Sequence, residues 1–205
     1  MECQPNGPDQ LVCEYLIKRL RPDADTVPIT LENKFKLIER CGKATALLFD
    51  VDNCQRVVIV WDVRPYWSPQ APIAEGFCLH EEREGIFASL KEADVNSSDV
   101  HLVCIYRELE SWLLADDRAI AKVISQLTGS RLTGRNKPKI KDEKKPESVK
   151  DPKARLMKIF KQHRTQEYNA YYHALRIVKE LQNFDKIKRC NSFKRFALKA
   201  TDTKL

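Results

Sequence analysis

The chain has 205 residues, of which 42% are hydrophobic and 32% are charged, and its formal net charge is +7. This length suits one domain, or one domain with a small appendage, and the hydrophobic content is too high for an intrinsically disordered chain. No apolar run approaches the roughly 20 residues that a transmembrane helix needs, and the N-terminal segment lacks the apolar stretch of a signal peptide. The sequence therefore predicts a cytoplasmic protein without a membrane span.

The charge is distributed unevenly along the chain. Residues 131–205 contain 22 Lys and Arg against 8 Asp and Glu, a net charge of +14, whereas residues 1–130 contain 14 against 21, a net charge of −7. Such asymmetry indicates a surface that faces a polyanion, or else a well-solvated helical surface. The charge by itself does not decide between these two interpretations.

Helices and strands are predicted to alternate through residues 1–128. Apolar residues at helical spacing follow Pro8, and a second helix is predicted over 31–41 with its end at Cys41-Gly42. The β-branched run at 56–62 and the apolar run at 100–106 predict two buried strands. This alternation is typical of an α/β fold with a small, largely parallel sheet flanked by helices.

The C-terminal part is predicted to be basic and helical. Residues 129–150 are rich in Lys and Arg with few large apolar residues, which predicts a flexible linker between an α/β domain at 1–128 and a helical segment at 151–205 that packs on it. Asp151-Pro152 is a typical helix start. In the helical segment, Tyr171 and Tyr172 belong to a stripe of apolar residues that is interpreted as core rather than as a base-stacking platform.

Carboxylates stand at the ends of both predicted strands. Asp62 ends the first strand, Glu108 and Glu110 follow the second, and Glu2 precedes the first helix. If the strands are parallel neighbours, these acids converge at one edge of the sheet, where chemistry is often located. Oxygen ligands of this kind suit Mg²⁺ or Mn²⁺, which can stabilise the charge that develops during phosphodiester cleavage. A strand-end acid can equally serve as a helix cap or turn residue, so the pattern is weak on its own.

The basic run provides candidate phosphate contacts. If the substrate is nucleic acid, we expect it to be bound by the cationic side chains in and next to the predicted linker, with an affinity that falls steeply with salt. These residues are Arg131, Arg135, Lys137, Lys139, Lys141, Lys144 and Lys145.

Several segments together resemble a known family. They are VIVWDVRPYW, CIYRELESWLLAD, KKPESVKDPKARL, HALRIVKEL and CNSFKRFALK. In this order they resemble an uncharacterised bacterial family, domain-of-unknown-function family 4276, and the strand-end acids look like those of a TOPRIM-type domain. The resemblance implies a TOPRIM-like fold and a metal-dependent nuclease role by analogy. Relatives are often encoded beside SMC-like or AAA-type ATPases, a pairing associated with phage defence.

The resemblance also implies roles for individual residues. Glu2 would be the general acid or base, and Asp62 would be the first acid of the metal-binding pair. The second position of that pair is Arg64, so metal binding would need Glu108 or Glu110 instead. The TOPRIM fold also has an apolar strand before its glutamate, and on this basis we expect the native chain to start upstream of Met1.

Two classes of function follow from these observations. The first hypothesis is a metal-dependent nuclease or phosphotransfer enzyme of TOPRIM type that acts on nucleic acid, with Mg²⁺ or Mn²⁺ held by Asp62, Glu108 and Glu110. The alternative is a non-catalytic TOPRIM-like subunit that binds nucleic acid or a partner ATPase, which Arg64 favours because a cation repels a metal ion. A general DNA- or RNA-binding protein is a third option from the charge alone.

Overall fold

The computed structural model describes residues 1–63, 79–129 and 138–205. The chain divides into two compact units. Unit 1 comprises Met1–Ile105 and Phe196–Thr203, and unit 2 comprises Tyr106–Arg195 and Lys204–Leu205. The predicted limits at 1–128, 129–150 and 151–205 stay a prediction. None of the helices in the described ranges is long and apolar enough to cross a membrane.

Unit 1 is a mixed α/β unit. Its elements in chain order are α1 (Pro8–Leu20), α2 (Lys34–Asp50), β1 (Val57–Asp62), α3 (Leu79–Glu92), a short 3₁₀ turn (Ser97–Asp99) and β2 (Val100–Ile105).

Unit 2 is helical. It contains α4 (Glu110–Leu114), α5 (Asp117–Thr128), α6 (Pro152–Gln162), α7 (Ala170–Lys179) and the first part of α8 (Asn191–Thr201), with 3₁₀ turns at Pro146–Ser148 and Ile187–Arg189.

The sheet of unit 1 confirms the two predicted strands. β1 and β2 pair in parallel, in a register that runs from Val57 opposite Val100 to Asp62 opposite Ile105. Alongside β1 lies the N-terminal segment, since the backbone N–H of Glu2 donates to the carbonyl oxygen of Val60 at 3.2 Å. This pairing places Glu2 near the carboxyl end of β1, where Asp62 is the last residue of the strand.

Helix α2 continues past the predicted end at Cys41-Gly42, so that prediction is wrong. Gly42 does not end the helix; it allows α3 to approach closely. A Cβ atom at Gly42 would lie 1.9 Å from the carbonyl oxygen of Ser89, and the Gly42 N–H lies 3.0 Å from the Ser89 Oγ, to which it donates. The glycine therefore allows two helices to pack closely. In the sequence alone it resembles a glycine that ends a helix.

The core of unit 2 forms around Trp112. Its indole N–H donates to the Ser192 Oγ at 2.8 Å, and its ring meets the ring of Phe193 edge-on at 5.4 Å. The predicted helix start at Asp151 is confirmed, because its side chain caps α6, and the side chain of Asp116 caps α5 in the same way.

The described part of the segment predicted as a flexible linker is anchored within unit 2. Asp142 accepts a hydrogen bond from Arg189 at 2.6 Å, and Glu147 accepts one from the Ser192 N–H at 2.8 Å. Acidic residues scattered through the basic run therefore attach it to α8 and to the turn before it. Residues 130–137 lie outside the described residues.

We expect Gly42→Ala to destabilise unit 1 by about 1–3 kcal/mol, because the new methyl group meets backbone that cannot move aside easily. Gly85→Ala in α3 is the comparison, since its Cβ would meet a side-chain methyl group, the Ile38 Cγ2 at 2.7 Å, and not backbone, so we expect a smaller loss. Urea unfolding of both variants measures the difference. Equal stability of the two variants would contradict the packing role of Gly42.

Candidate functional site

A cluster of four ionisable residues lies at the carboxyl end of β1 in unit 1. We call it the strand-end cluster, and it consists of Glu2, Lys34, Asp62 and Glu82. Glu2 lies beside β1, Asp62 ends β1, Lys34 begins α2 and Glu82 lies in the first turn of α3. Four separate segments therefore bring one cation and three carboxyl groups into the same part of the unit.

The centre of this cluster is a buried ion pair between Lys34 and Glu82. The Lys34 Nζ lies 2.9 Å from the Glu82 Oε1, and the two side chains are only 4% and 3% exposed. The Lys34 Nζ also donates to the carbonyl oxygen of Val63 at 2.8 Å, and the Glu82 Oε2 accepts from the Trp61 indole N–H at 2.8 Å. Such additional hydrogen bonds are what a buried ion pair needs to offset its loss of hydration.

Lys34 occupies a helix position that is electrostatically unfavourable for a cation. A cation at the N-terminus of a helix opposes the helix dipole, whereas an acid in the first turn is favoured by it. Lys34 is the first residue of α2 and Glu82 is in the first turn of α3. The buried pair with Glu82 therefore explains a lysine at a helix position that the dipole disfavours.

Glu2 is a carboxyl group that holds its proton near neutral pH. Burial raises the pKa of Glu2 to about 8, and the negative charge of Glu82 also raises it, while the charge of Lys34 and a backbone hydrogen bond from Asp62 act in the opposite direction. The Oε2 of Glu2 is buried and has no hydrogen-bond partner among the described residues. A carboxyl group with a pKa in this range can donate or accept a proton at physiological pH.

The other two predicted acids belong to unit 2, where each has a partner. The Glu108 Oε1 accepts from the Lys153 N–H at the start of α6 at 2.8 Å. Glu110 is buried, and its Oε1 accepts from the Tyr168 hydroxyl at 3.1 Å. The structure thus brings Glu2 and Asp62 together within unit 1, while their combination with Glu108 and Glu110 stays a prediction.

The strand-end cluster does not fit a divalent metal. Mg²⁺ and Mn²⁺ prefer several charged oxygen ligands, but both carboxylate oxygens of Glu82 are engaged and burial favours the neutral form of Glu2. Among residues 1–63, 79–129 and 138–205, no group of three or more His, Cys, Asp or Glu has an arrangement that could hold a metal ion. The ammonium group of Lys34 already supplies positive charge here.

The predicted phosphate contacts have different surroundings. Lys139, Lys141 and Lys145 are exposed and form no salt bridge with the described part of the chain. Lys144 pairs with Asp142 at 2.6 Å, and its hydrogen bond is the main cause that lowers the pKa of Asp142 to about 2. Arg131, Arg135 and Lys137, like Arg64 of the expected metal-binding pair, lie outside the described residues.

Sequence reasoning missed Lys34 and Glu82. The available signals were a lysine at the start of a helix and an acid in the first turn of another. Neither signal predicts that these two residues pair, because they are far apart in the sequence and come together only when α2 and α3 pack at the end of β1.

We expect Lys34→Met to cost about 3–5 kcal/mol of unfolding free energy, because it leaves the Glu82 carboxylate buried without its counter-charge. Lys34→Met combined with Glu82→Gln should recover most of that loss. The matched control is the solvent-accessible pair in the same helix region, Lys36 and Glu32, for which the coupling should be much smaller because solvent screens it. Double-mutant cycles from urea unfolding measure both couplings, and equal values would contradict a special role for the buried pair.

We also expect Glu2 to make stability depend on pH. Because the pKa is raised from 4.5 to about 8 on folding, the folded state binds the extra proton, so this contribution is complete below pH 4.5 and is lost as the pH rises towards 8. Glu2→Gln should reduce the loss of stability with rising pH, whereas Glu92→Gln on the exposed side of α3 should not. Thermal unfolding between pH 5 and pH 8 provides the measurement, and an unchanged slope in Glu2→Gln would refute the assignment.

The comparisons with known proteins give a family but no named relative. A family model described as "Domain of unknown function (DUF4276)" matches residues 23–199. No curated protein and no solved structure was found to match the chain. The matched range contains Lys34, Asp62 and Glu82, and Glu2 lies before it. Because the match covers most of the sequence, it confirms the resemblance seen in the motifs: the chain belongs to the domain-of-unknown-function family DUF4276.

Proposed function

We propose that this protein is a non-catalytic, nucleic-acid-binding subunit on a TOPRIM-like scaffold. The observation that carries the proposal is the ammonium group of Lys34, which lies among the carboxyl groups at the end of β1. A metal-dependent nuclease needs a divalent cation at such a place. Here a lysine side chain provides the positive charge, held in place by Glu82 and the Val63 carbonyl.

The TOPRIM-like part of the proposal is supported by the strand arrangement. A parallel pair, β1 and β2, has an aspartate at the end of β1 and a glutamate beside it, in the order that the resemblance implies. An SMC-like or AAA-type ATPase as partner, and a setting in phage defence, rest on the resemblance alone.

Nucleic acid as the ligand is supported by the charge of the C-terminal part. Residues 131–205 have a net charge of +14, and Lys139, Lys141 and Lys145 are exposed. Cations that are not neutralised by neighbouring acids release counterions from a phosphate backbone when they bind it, which gives affinity without sequence specificity. We therefore expect weak dependence on base sequence and strong dependence on salt.

A second candidate, a metal-dependent nuclease, is favoured by a different observation. Glu2 has a pKa of about 8 and lies next to Asp62, so it suits proton transfer at physiological pH. In this candidate Glu2 transfers the proton, and the charged ligands for Mg²⁺ would have to include Glu108 or Glu110 of unit 2. The strand-end cluster by itself does not provide that ligand set.

A titration with Mn²⁺ separates the two candidates. We expect millimolar Mn²⁺ to leave the Tm of the wild-type protein unchanged, because a ligand raises stability only where it binds the native state. Lys34→Ala removes the competing ammonium group and leaves three carboxyl groups, so Mn²⁺ should raise the Tm of this variant. Lys36→Ala, which removes a partly exposed lysine from the same helix, is the control and should behave as the wild type does.

A cleavage assay completes the test. We expect the wild-type protein with Mg²⁺ or Mn²⁺ to bind labelled DNA or RNA without cutting it, and Asp62→Asn to bind equally well. Metal-dependent cleavage by the wild type that is lost in Asp62→Asn would establish the nuclease candidate and reject the first proposal.

A further inference from the structure

The outer side of helix α7 exposes two neighbouring tyrosines. Tyr171 is 58% exposed and Tyr172 is 72% exposed, whereas Tyr168 is only 4% exposed. The prediction that this stripe is core is therefore wrong for Tyr171 and Tyr172. The reason is that Asn169 caps α7, so Tyr168 lies before the helix and does not share its periodicity.

The inner side of α7 fixes the helix firmly in unit 2. His173 is buried, its Nδ1 accepts from the Asn169 N–H at 2.9 Å, and its ring packs 4.8 Å from the ring of Phe160. Burial lowers the pKa of His173, which favours a neutral imidazole in this packing. Ile177 and Val178 are buried on the same side. The exposed tyrosines consequently stand on a rigid element and not on a loop.

Two cations share the outer side with the tyrosines. At about 100° per residue, Tyr171, Tyr172, Arg176 and Lys179 fall within an arc of about 140°. We call these four residues the tyrosine face. Arg176 and Lys179 are exposed and form no salt bridge with the part of the chain that the structure describes.

Acidic groups are absent from the tyrosine face itself. The sequence of α7, AYYHALRIVK, contains no Asp or Glu. The acid that follows it, Glu180, is engaged by Lys122 and by Gln126, and its charge also interacts with that of Arg176. The face itself thus combines two exposed aromatic rings with two exposed cations and contains no acid.

We propose that the tyrosine face binds single-stranded nucleic acid, with unpaired bases stacked on Tyr171 and Tyr172 and phosphates near Arg176 and Lys179. This inference rests on the proposed nucleic-acid-binding function and assigns it a site and a strand preference. Exposed aromatic rings beside cations are the combination that single-strand binding uses, because every base offers a π-face. Bases in a duplex are already stacked on one another, so the tyrosines favour an unpaired strand.

The experiment compares variants of the full-length protein with a labelled oligothymidylate by fluorescence anisotropy. Tyr171→Ala with Tyr172→Ala should weaken binding by at least about tenfold, given the usual contribution of one stacked base. Tyr171→Phe with Tyr172→Phe keeps the rings and should bind as the wild type does. Phe35→Ala, at a residue of α2 that is 54% exposed, is the control for loss of an exposed ring and should also bind normally.

Salt dependence distinguishes stacking from phosphate contact. Arg176→Ala with Lys179→Ala should lower the slope of log K against log salt by about 1.4, because each single-strand phosphate contact contributes about 0.7. The tyrosine-to-alanine pair should lower the affinity while leaving the slope unchanged. Circular dichroism of each variant confirms that it is folded, and all of these positions are exposed.

The outcomes separate the inference from the function on which it rests. If the wild-type protein binds no nucleic acid, both are rejected. If the wild type binds but the alanine pair binds equally well, only the tyrosine face is rejected. Equal competition by poly-glutamate of matched charge, with no effect of the tyrosine substitutions, would overturn the inference in favour of an acidic protein partner.

Discussion

The buried pair between Lys34 and Glu82 is the interaction on which the candidate site depends. It joins the first turns of α2 and α3, and through Trp61 and the Val63 carbonyl it fixes both helices to the end of β1. A charge buried to this degree is tolerated only when it is paired and hydrogen-bonded. The geometry around Asp62 is thus determined by a protein cation, and any chemistry at this end of the strand has to accommodate it.

The same pair also acts on the neighbouring carboxyl group of Glu2. Burial raises the pKa of Glu2, and Lys34 offsets only part of that effect, so Glu2 remains largely protonated at neutral pH. Apart from Asp62, the cluster consists of one fixed cation, one neutral acid and one acid already paired, so it has little need of a metal ion. This balance makes the binding-subunit proposal preferable to the nuclease, although both share the strand-end arrangement. In this proposal the basic C-terminal part contacts phosphates, and the exposed rings of α7 hold unpaired bases.

Local sequence signals predicted the local structure well. The β-branched run predicted β1, Asp62 ends that strand as expected, and Asp151 caps α6 as expected. The parallel pairing followed from the alternation of strands and helices. What could not be predicted depends on contacts between distant segments. Gly42 resembled a helix end in the sequence, because the need for a glycine at this position arises only from the close approach of α3. The Lys34–Glu82 pair has no sequence pattern of its own, because each residue alone resembles an ordinary surface charge.

The measurement that tests the account most directly is anomalous X-ray diffraction from crystals of the wild-type protein grown with Mn²⁺. If Lys34 provides the cation of the strand-end cluster, no anomalous peak should lie within coordination distance of the Asp62 carboxylate, and the Lys34 Nζ should remain bound to Glu82. A manganese peak coordinated by Asp62, with Lys34 displaced from Glu82, would contradict the account and assign this site to metal-dependent chemistry.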